Sequence, residues 1–208
     1  MGQILKFPVR ASKYGYKRVP KRASEENPDQ LHLFPQATAQ VLEFAFGLSH
    51  FEHALLLDER GDLRAADYYL KAIAEQDCVA DANCNLGIIE SNQGKTAKAF
   101  DRFTNCLKHN PRHFEAHYNL GNMYFDVNDF RLAQIHYEIA TEIDPSFPNV
   151  YFNLALVLSI NNEFGAAANA LTRYQAMVPH DEGRKADELL ENLKKSLAAT
   201  QQIRWGLT

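Results

Sequence analysis

The chain has only three cysteines, Cys78, Cys84 and Cys106, in 208 residues. That is too few for a disulfide framework, and their uneven spacing matches no common zinc pattern. No apolar run approaches the roughly 18 residues that a membrane span needs. Met1-Gly2-Gln3-Ile4-Leu5-Lys6 leads to Pro8 rather than to an apolar stretch, so no secretory leader is expected. Lys6 stands where a myristoylation site wants Ser or Thr. Glycine-rich phosphate loops, nucleophile elbows and carboxylate pairs at catalytic spacing are missing too. These absences argue against an enzyme, a cofactor and a membrane, and they favour the reducing cytoplasm. The rest is ordinary: 46% apolar and 23% charged residues suit a soluble chain of one domain.

Charge is divided unevenly. Residues 1–30 carry seven Lys/Arg against three acids, a net +4, while residues 31–208 carry −8. The basic arm contains Pro8, Pro20 and Pro28, and its aromatics Phe7, Tyr14 and Tyr16 follow no regular period. Such a segment is expected to be disordered, or ordered only when docked. From Ala37 to about Ala199 the composition is helical.

Shifting the chain against itself by 34 residues brings five columns into phase. Asn85, Asn119 and Asn153 align, as do Leu86-Gly87, Leu120-Gly121 and Leu154-Ala155. Ala99, Ala133 and Ala167 form a third column, Phe103, Tyr137 and Leu171 a fourth, and Pro111, Pro145 and Pro179 a fifth. A fixed period in this range marks a solenoid. Within the middle copy, Tyr118, Leu120, Met123 and Tyr124 have helical spacing. Gly121 is expected where a second helix backbone comes close. Asn128-Asp129 provides a turn and a cap. Ala133, Tyr137 and Ala140 form a small-large-small stripe on the next helix. Asp144-Pro145 ends that helix, because the residue before proline leaves the α region. The predicted fold is all-α, a solenoid of antiparallel helix pairs.

His117-Tyr118-Asn119-Leu120-Gly121-Asn122-Met123-Tyr124, followed by Ala133, Tyr137, Ala140 and Pro145, resembles the tetratricopeptide repeat. Copies run 80–113, 114–147 and 148–181, with a looser one at about 47–79 whose second helix fits after a one-residue slip. Residues 31–200 form the repeat domain, 182–200 resemble a capping helix with Leu189, Leu190, Leu193 and Leu197 on one stripe, and 201–208 are a tail. The resemblance implies a non-enzymatic scaffold, an adaptor or chaperone-like holder, that binds a partner peptide in a concave groove lined by each repeat's first helix. The implied peptide-binding residues are Asn85, Tyr118, Asn119, Asn122, Phe125, Phe152 and Asn153. The three column asparagines form a ladder whose amides suit an extended peptide backbone, and groove-side polar residues are expected outside the core. The groove positions include Asp81, Glu115 and Asp126 but no Lys or Arg. A carboxylate clamp is therefore not expected, and a neutral or basic partner segment is favoured.

Other features read as structural. His109, His113 and His117 cluster in sequence, but no thiol or carboxylate completes a site at their spacing, so no metal is expected. Cys106 takes a small-residue position and reads as packing, while Cys84 falls on the groove side. The alternative function is a nucleic-acid-associated regulator, with the basic arm on phosphates and the repeats on a protein. The same arm, opposite in charge to the body, also suits docking on its own groove. Neither the partner's identity nor the oligomeric state follows from the sequence.

Overall fold

The computed structural model describes residues 47–179, 183–184 and 186–195. The basic arm, with the nucleic-acid and self-docking expectations that rest on it, lies outside these residues, as does the tail. Eight helices run through residues 50–177: α1 (His50–Glu59), α2 (Ala65–Ala74), α3 (Val79–Asn92), α4 (Thr96–His109), α5 (Phe114–Asp126), α6 (Phe130–Ile143), α7 (Pro148–Ile160) and α8 (Phe164–Met177). Residues 183–184 and 186–195 are helical as well, and no strand occurs among the described residues. Each helix packs on its neighbours in sequence, and α3 also touches α5. The architecture is the expected stack of helix pairs, with α1, α3, α5 and α7 as first helices.

One turn design repeats between the helices of each pair. Gly94, Asn128 and Asn162 stand 34 residues apart, and their φ values are 74°, 63° and 64°. Each places a left-handed residue just past a first helix. The amide of the following residue then reaches back five positions, Lys95 to Glu90 at 2.9 Å, Asp129 to Tyr124 at 2.9 Å and Glu163 to Leu158 at 2.8 Å. This is the Schellman pattern that satisfies a helix's last carbonyls. Gly61, with φ 69°, does the same in the first pair, one place off the column; the slip expected in that pair's second helix is absent, since Ala65, Tyr69 and Ala72 are buried 34 residues before Ala99, Phe103 and Cys106. Asp129 also accepts the Leu132 amide at 3.1 Å, so Asn128-Asp129 both turns the chain and caps α6. Second helices end differently: Asn110 and Asp144, each before a proline, are extended.

Burial follows the repeat columns. Ala99, Phe103, Ala133, Tyr137, Ala167 and Leu171 are at most 1% exposed. A Cβ added to Gly121 would lie 2.6 Å from the Tyr137 ring, and one on Gly87 would lie 2.9 Å from the Phe103 ring. The close neighbour of Gly121 is thus an aromatic side chain of its own repeat and not a helix backbone, which corrects the sequence expectation. The third repeat has Ala155 against Leu171, a methyl gained where a ring is lost. Ala186, Leu189 and Leu193 of the C-terminal helical residues join the core formed by α5 to α8.

The first-helix face and a buried cysteine–histidine cluster

The expected ladder of groove-side asparagines is inside the structure. Asn85, Asn119 and Asn153 are 3%, 0% and 8% exposed, so these polar residues belong to the core. Their amides join repeats to each other. Asn85 Nδ2 donates to the Tyr69 hydroxyl of the preceding pair at 3.1 Å, and that hydroxyl donates to Asp58 at 3.2 Å. Asn153 Nδ2 donates to the Tyr118 hydroxyl at 3.3 Å and to Asn122 Oδ1 at 3.0 Å. Asn122 Oδ1 also accepts from Tyr137 Oη at 2.7 Å.

Asn119 breaks the pattern. Neither its Oδ1 nor its Nδ2 has a hydrogen-bond partner. The column explains this. Asn85 bonds the Tyr69 hydroxyl 16 residues before it, but Asn119 stands 16 after Phe103, and the positions that give Asn153 its partners, Tyr118 and Asn122, are Cys84 and Ile88 one repeat earlier. The ring that would offer a hydroxyl to Asn119 has none.

The remaining expected binding residues are mostly in aromatic contacts. Tyr118 is buried, stacked on Phe114 with centroids 6.1 Å apart and edge-on to Phe147 at 5.4 Å. Phe152 is buried against Tyr174 at 5.2 Å, and half-buried Phe125 meets Phe130 edge-on at 5.5 Å.

The three clustered histidines do not converge. His109 is exposed. His117 pairs with His136, Nδ1 to Nδ1 at 3.0 Å, while its Nε2 lies 3.0 Å from the Pro111 carbonyl. A carbonyl only accepts, so Nε2 carries the proton. Nδ1 of the neutral ring is then bare and takes the proton of His136 Nδ1. Burial, and then the charge His117 would carry beside it, hold the His136 pKa down at about 4. Burial likewise lowers that of His117.

His113 takes different company, from residues distant in sequence. It is 1% exposed and precedes α5, with its Nδ1 3.3 Å from the Ala116 amide nitrogen, from which it accepts only while the ring is neutral. Its Nε2 lies 3.1 Å from Asp81 Oδ1, and its Nδ1 lies 3.1 Å from Glu115 Oε2. Cys84 of α3 and Cys106 of α4 complete the group, with their Sγ atoms and a His113 ring nitrogen all within 4.8 Å of one another. The expectation that no thiol joins the histidines fails here, because the fold brings Cys84 and Cys106 to His113. Hydrogen bonding with Cys84, and then with His113, holds the Cys106 thiol down at about 7 against the opposing effect of burial. Burial pulls the His113 pKa down, but the bonds to Asp81 and Cys106 outweigh it and raise the value to about 10. The bond to Cys106, together with burial, pushes the Cys84 thiol well up.

Models of the tetratricopeptide repeat match residues 114–147 and residues 84–127. The first match has the bounds of the middle copy read from the 34-residue period. The chain is a tetratricopeptide repeat protein. Among curated relatives, human tetratricopeptide repeat protein 6 is 23% identical over an alignment covering 71% of this chain. The chain spans about a third of that relative's length, 33%. Among solved structures, MamA residues 41 to the end from Desulfovibrio magneticus RS-1 aligns with a TM-score of 0.56 at 18% identity, covering 72% of this chain and 94% of that one. The first tetratricopeptide domain of Spaghetti (RPAP3), solved with the HSP90 peptide SRMEEVD, aligns with a TM-score of 0.52 at 20% identity, covering 58% and 94%. These likenesses establish the fold. No helix among the described residues is long and apolar enough to cross a membrane.

Proposed function

We propose that this chain is a non-enzymatic protein–protein interaction scaffold of a reducing compartment. It binds a peptide segment of a partner along the face formed by α1, α3, α5 and α7. The observation that carries this reading is the unpartnered amide of Asn119, in the middle of a row whose other asparagines are engaged. A buried polar group left unsatisfied costs roughly 1–3 kcal/mol, and a native structure keeps few of them. A peptide backbone offers the N–H and C=O that such an amide pairs with simultaneously. Reaching it requires the side chains over Asn119 to swing aside. Tyr118, Asn122, Phe152 and Asn153 share the row and would flank the segment, with Asn85 and Phe125 towards its ends.

The Spaghetti domain supports peptide binding by this fold. Its heptapeptide, SRMEEVD, has three acids. The positions read here as the binding row have Asp81, Glu115 and Asp126 and no Lys or Arg, so a neutral or basic segment fits better. Asp81 and Glu115 already face His113; charge therefore selects weakly and the amides carry more of the recognition.

A peptide library displayed on phage and panned against the full chain tests the reading. Enriched peptides should lose affinity for Asn119→Val by on the order of tenfold, about the worth of one hydrogen bond. They should keep affinity for Ile135→Lys, a change at an exposed residue of a second helix. Asn119→Val should melt no lower than the native chain, because it removes an unsatisfied amide. Peptides indifferent to Asn119→Val would place recognition elsewhere.

A further inference from the structure

Cys84, Cys106 and His113 come from α3, α4 and the residue before α5, and all three are at most 1% exposed. The repeat columns show how unusual this junction is. One repeat later the same positions hold Tyr118, Ala140 and Phe147, and Tyr118 and Phe147 pack ring against ring at 5.4 Å. Two aromatic positions and one alanine position have thus all become metal-ligating residue types at one junction. Packing alone does not call for that combination, since Ala140 and two rings fill the equivalent space.

The spacing suits a tetrahedral ion. Zinc holds sulfur at about 2.3 Å and nitrogen at about 2.0–2.1 Å, so neighbouring ligand atoms lie roughly 3.3–3.8 Å apart. The two Sγ atoms and the ring nitrogen, within 4.8 Å of one another, need to draw in by at most roughly 1–1.5 Å. Asp81 on Nε2 orients the ring, as carboxylates do behind metal-bound histidines. That leaves Nδ1 for the ion, at the expense of its long bond to the Ala116 amide. On the Nδ1 side, 3.1 Å away, stands Glu115 Oε2, an oxygen of a residue 3% exposed that has no hydrogen-bond partner. Once His113 gives up its proton, this carboxylate oxygen beside Nδ1 is available to an ion bound there.

We propose that Cys84, Cys106 and His113 bind one divalent cation of the zinc class, with Glu115 closing the tetrahedron. Two thiolates and a carboxylate provide three negative charges against two positive, and two sulfur ligands select a thiophilic ion over magnesium or calcium. Ligation needs both thiols deprotonated and the imidazole neutral, so binding releases protons and affinity rises with pH. The ion ties three helices together and fixes the junction between the second and third helix pairs.

The test uses the full chain, purified under reducing conditions without chelator. Metal analysis should find one zinc per chain. Replacement by Co²⁺ should give the thiolate-to-cobalt charge-transfer band and the visible bands of a tetrahedral ion. Cys106→Ala places at this position the residue found one repeat earlier and one repeat later, so it should fold; it should lose the band and the rise in melting temperature that zinc gives the native chain. Cys78→Ser, at an exposed cysteine, should keep both. No cobalt band in the native chain, or a band that survives Cys106→Ala, overturns the proposal. Should Cys106→Ala fail to fold, X-ray absorption on the zinc-loaded native chain decides: two sulfurs in the first shell support the site, and a shell without sulfur rejects it.

Discussion

At residue scale, the fold is set by paired exchanges along the columns. Gly121 exists because the Tyr137 ring lies where a Cβ would be, and that ring cannot retreat: it is 1% exposed and its hydroxyl is held by Asn122. Gly121→Ala should therefore lower the melting temperature. Overpacking costs roughly 1–3 kcal/mol, more than the helix propensity of about 1 kcal/mol that alanine regains over glycine. Adding Tyr137→Leu recreates the Ala155–Leu171 pair, so the double variant should be less unstable than the two single losses summed. A thermal double-mutant cycle measures that coupling. The second case is the missing hydroxyl at Phe103. Phe103→Tyr should give Asn119 the partner that Tyr69 gives Asn85, and raise stability by about 1 kcal/mol. If Asn119 holds a peptide, the same change should weaken that peptide in a binding titration, because the amide is then already occupied.

At the scale of elements, helix pairs are closed by local turn chemistry and joined by side chains that cross between them. The His117–His136 pair joins α5 to α6; it needs His117 Nδ1 unprotonated, and burial penalises charge on either ring. His136 has its pKa lowered from 6.5 to about 4, so between those values the unfolded chain binds the proton and the folded chain does not. Its contribution is complete above about pH 6.5 and is lost as pH falls towards 4. Denaturant midpoints measured from pH 7 to 4 should fall with acid, and His136→Gln should flatten that slope. An equal slope in the variant would assign the acid sensitivity to other groups.

At the scale of the molecule, helix contacts run almost entirely between chain neighbours, so the stack behaves as a one-dimensional array. Damage at one end should stay there. Leu193 is fully buried in the core of α5 to α8. Leu193→Ala should destabilise that end by roughly 2–5 kcal/mol. Hydrogen exchange should show lost protection in α7 and α8 while α1 to α4 keep theirs. Uniform loss across the chain would mean that the stack unfolds as one unit. A zinc ion at the junction of α3, α4 and α5 would strengthen such coupling between the two halves.

The architecture was legible in the sequence because a 34-residue period is a property of the chain's order. Leu-Gly columns, alanine stripes, the Asn128-Asp129 turn and the prolines each act through neighbours a few residues away, and the repeat register followed from them. What lay between repeats was not legible. Asn119 and Asn153 look alike in sequence, yet one is unpartnered and the other bonded, and the difference is set by Phe103 and by Tyr118 and Asn122 on other helices. Asn85, Asn119 and Asn153 were expected on an open face and are buried, because neighbouring pairs close over positions that a single helix leaves exposed. Cys84, Cys106 and His113 have no informative spacing, and only packing brings α3, α4 and the start of α5 to one point. Local order determines which helices form and how they pair; the meeting of side chains from separate helices, where the amide row and the cysteine–histidine cluster arise, is decided only by the tertiary structure.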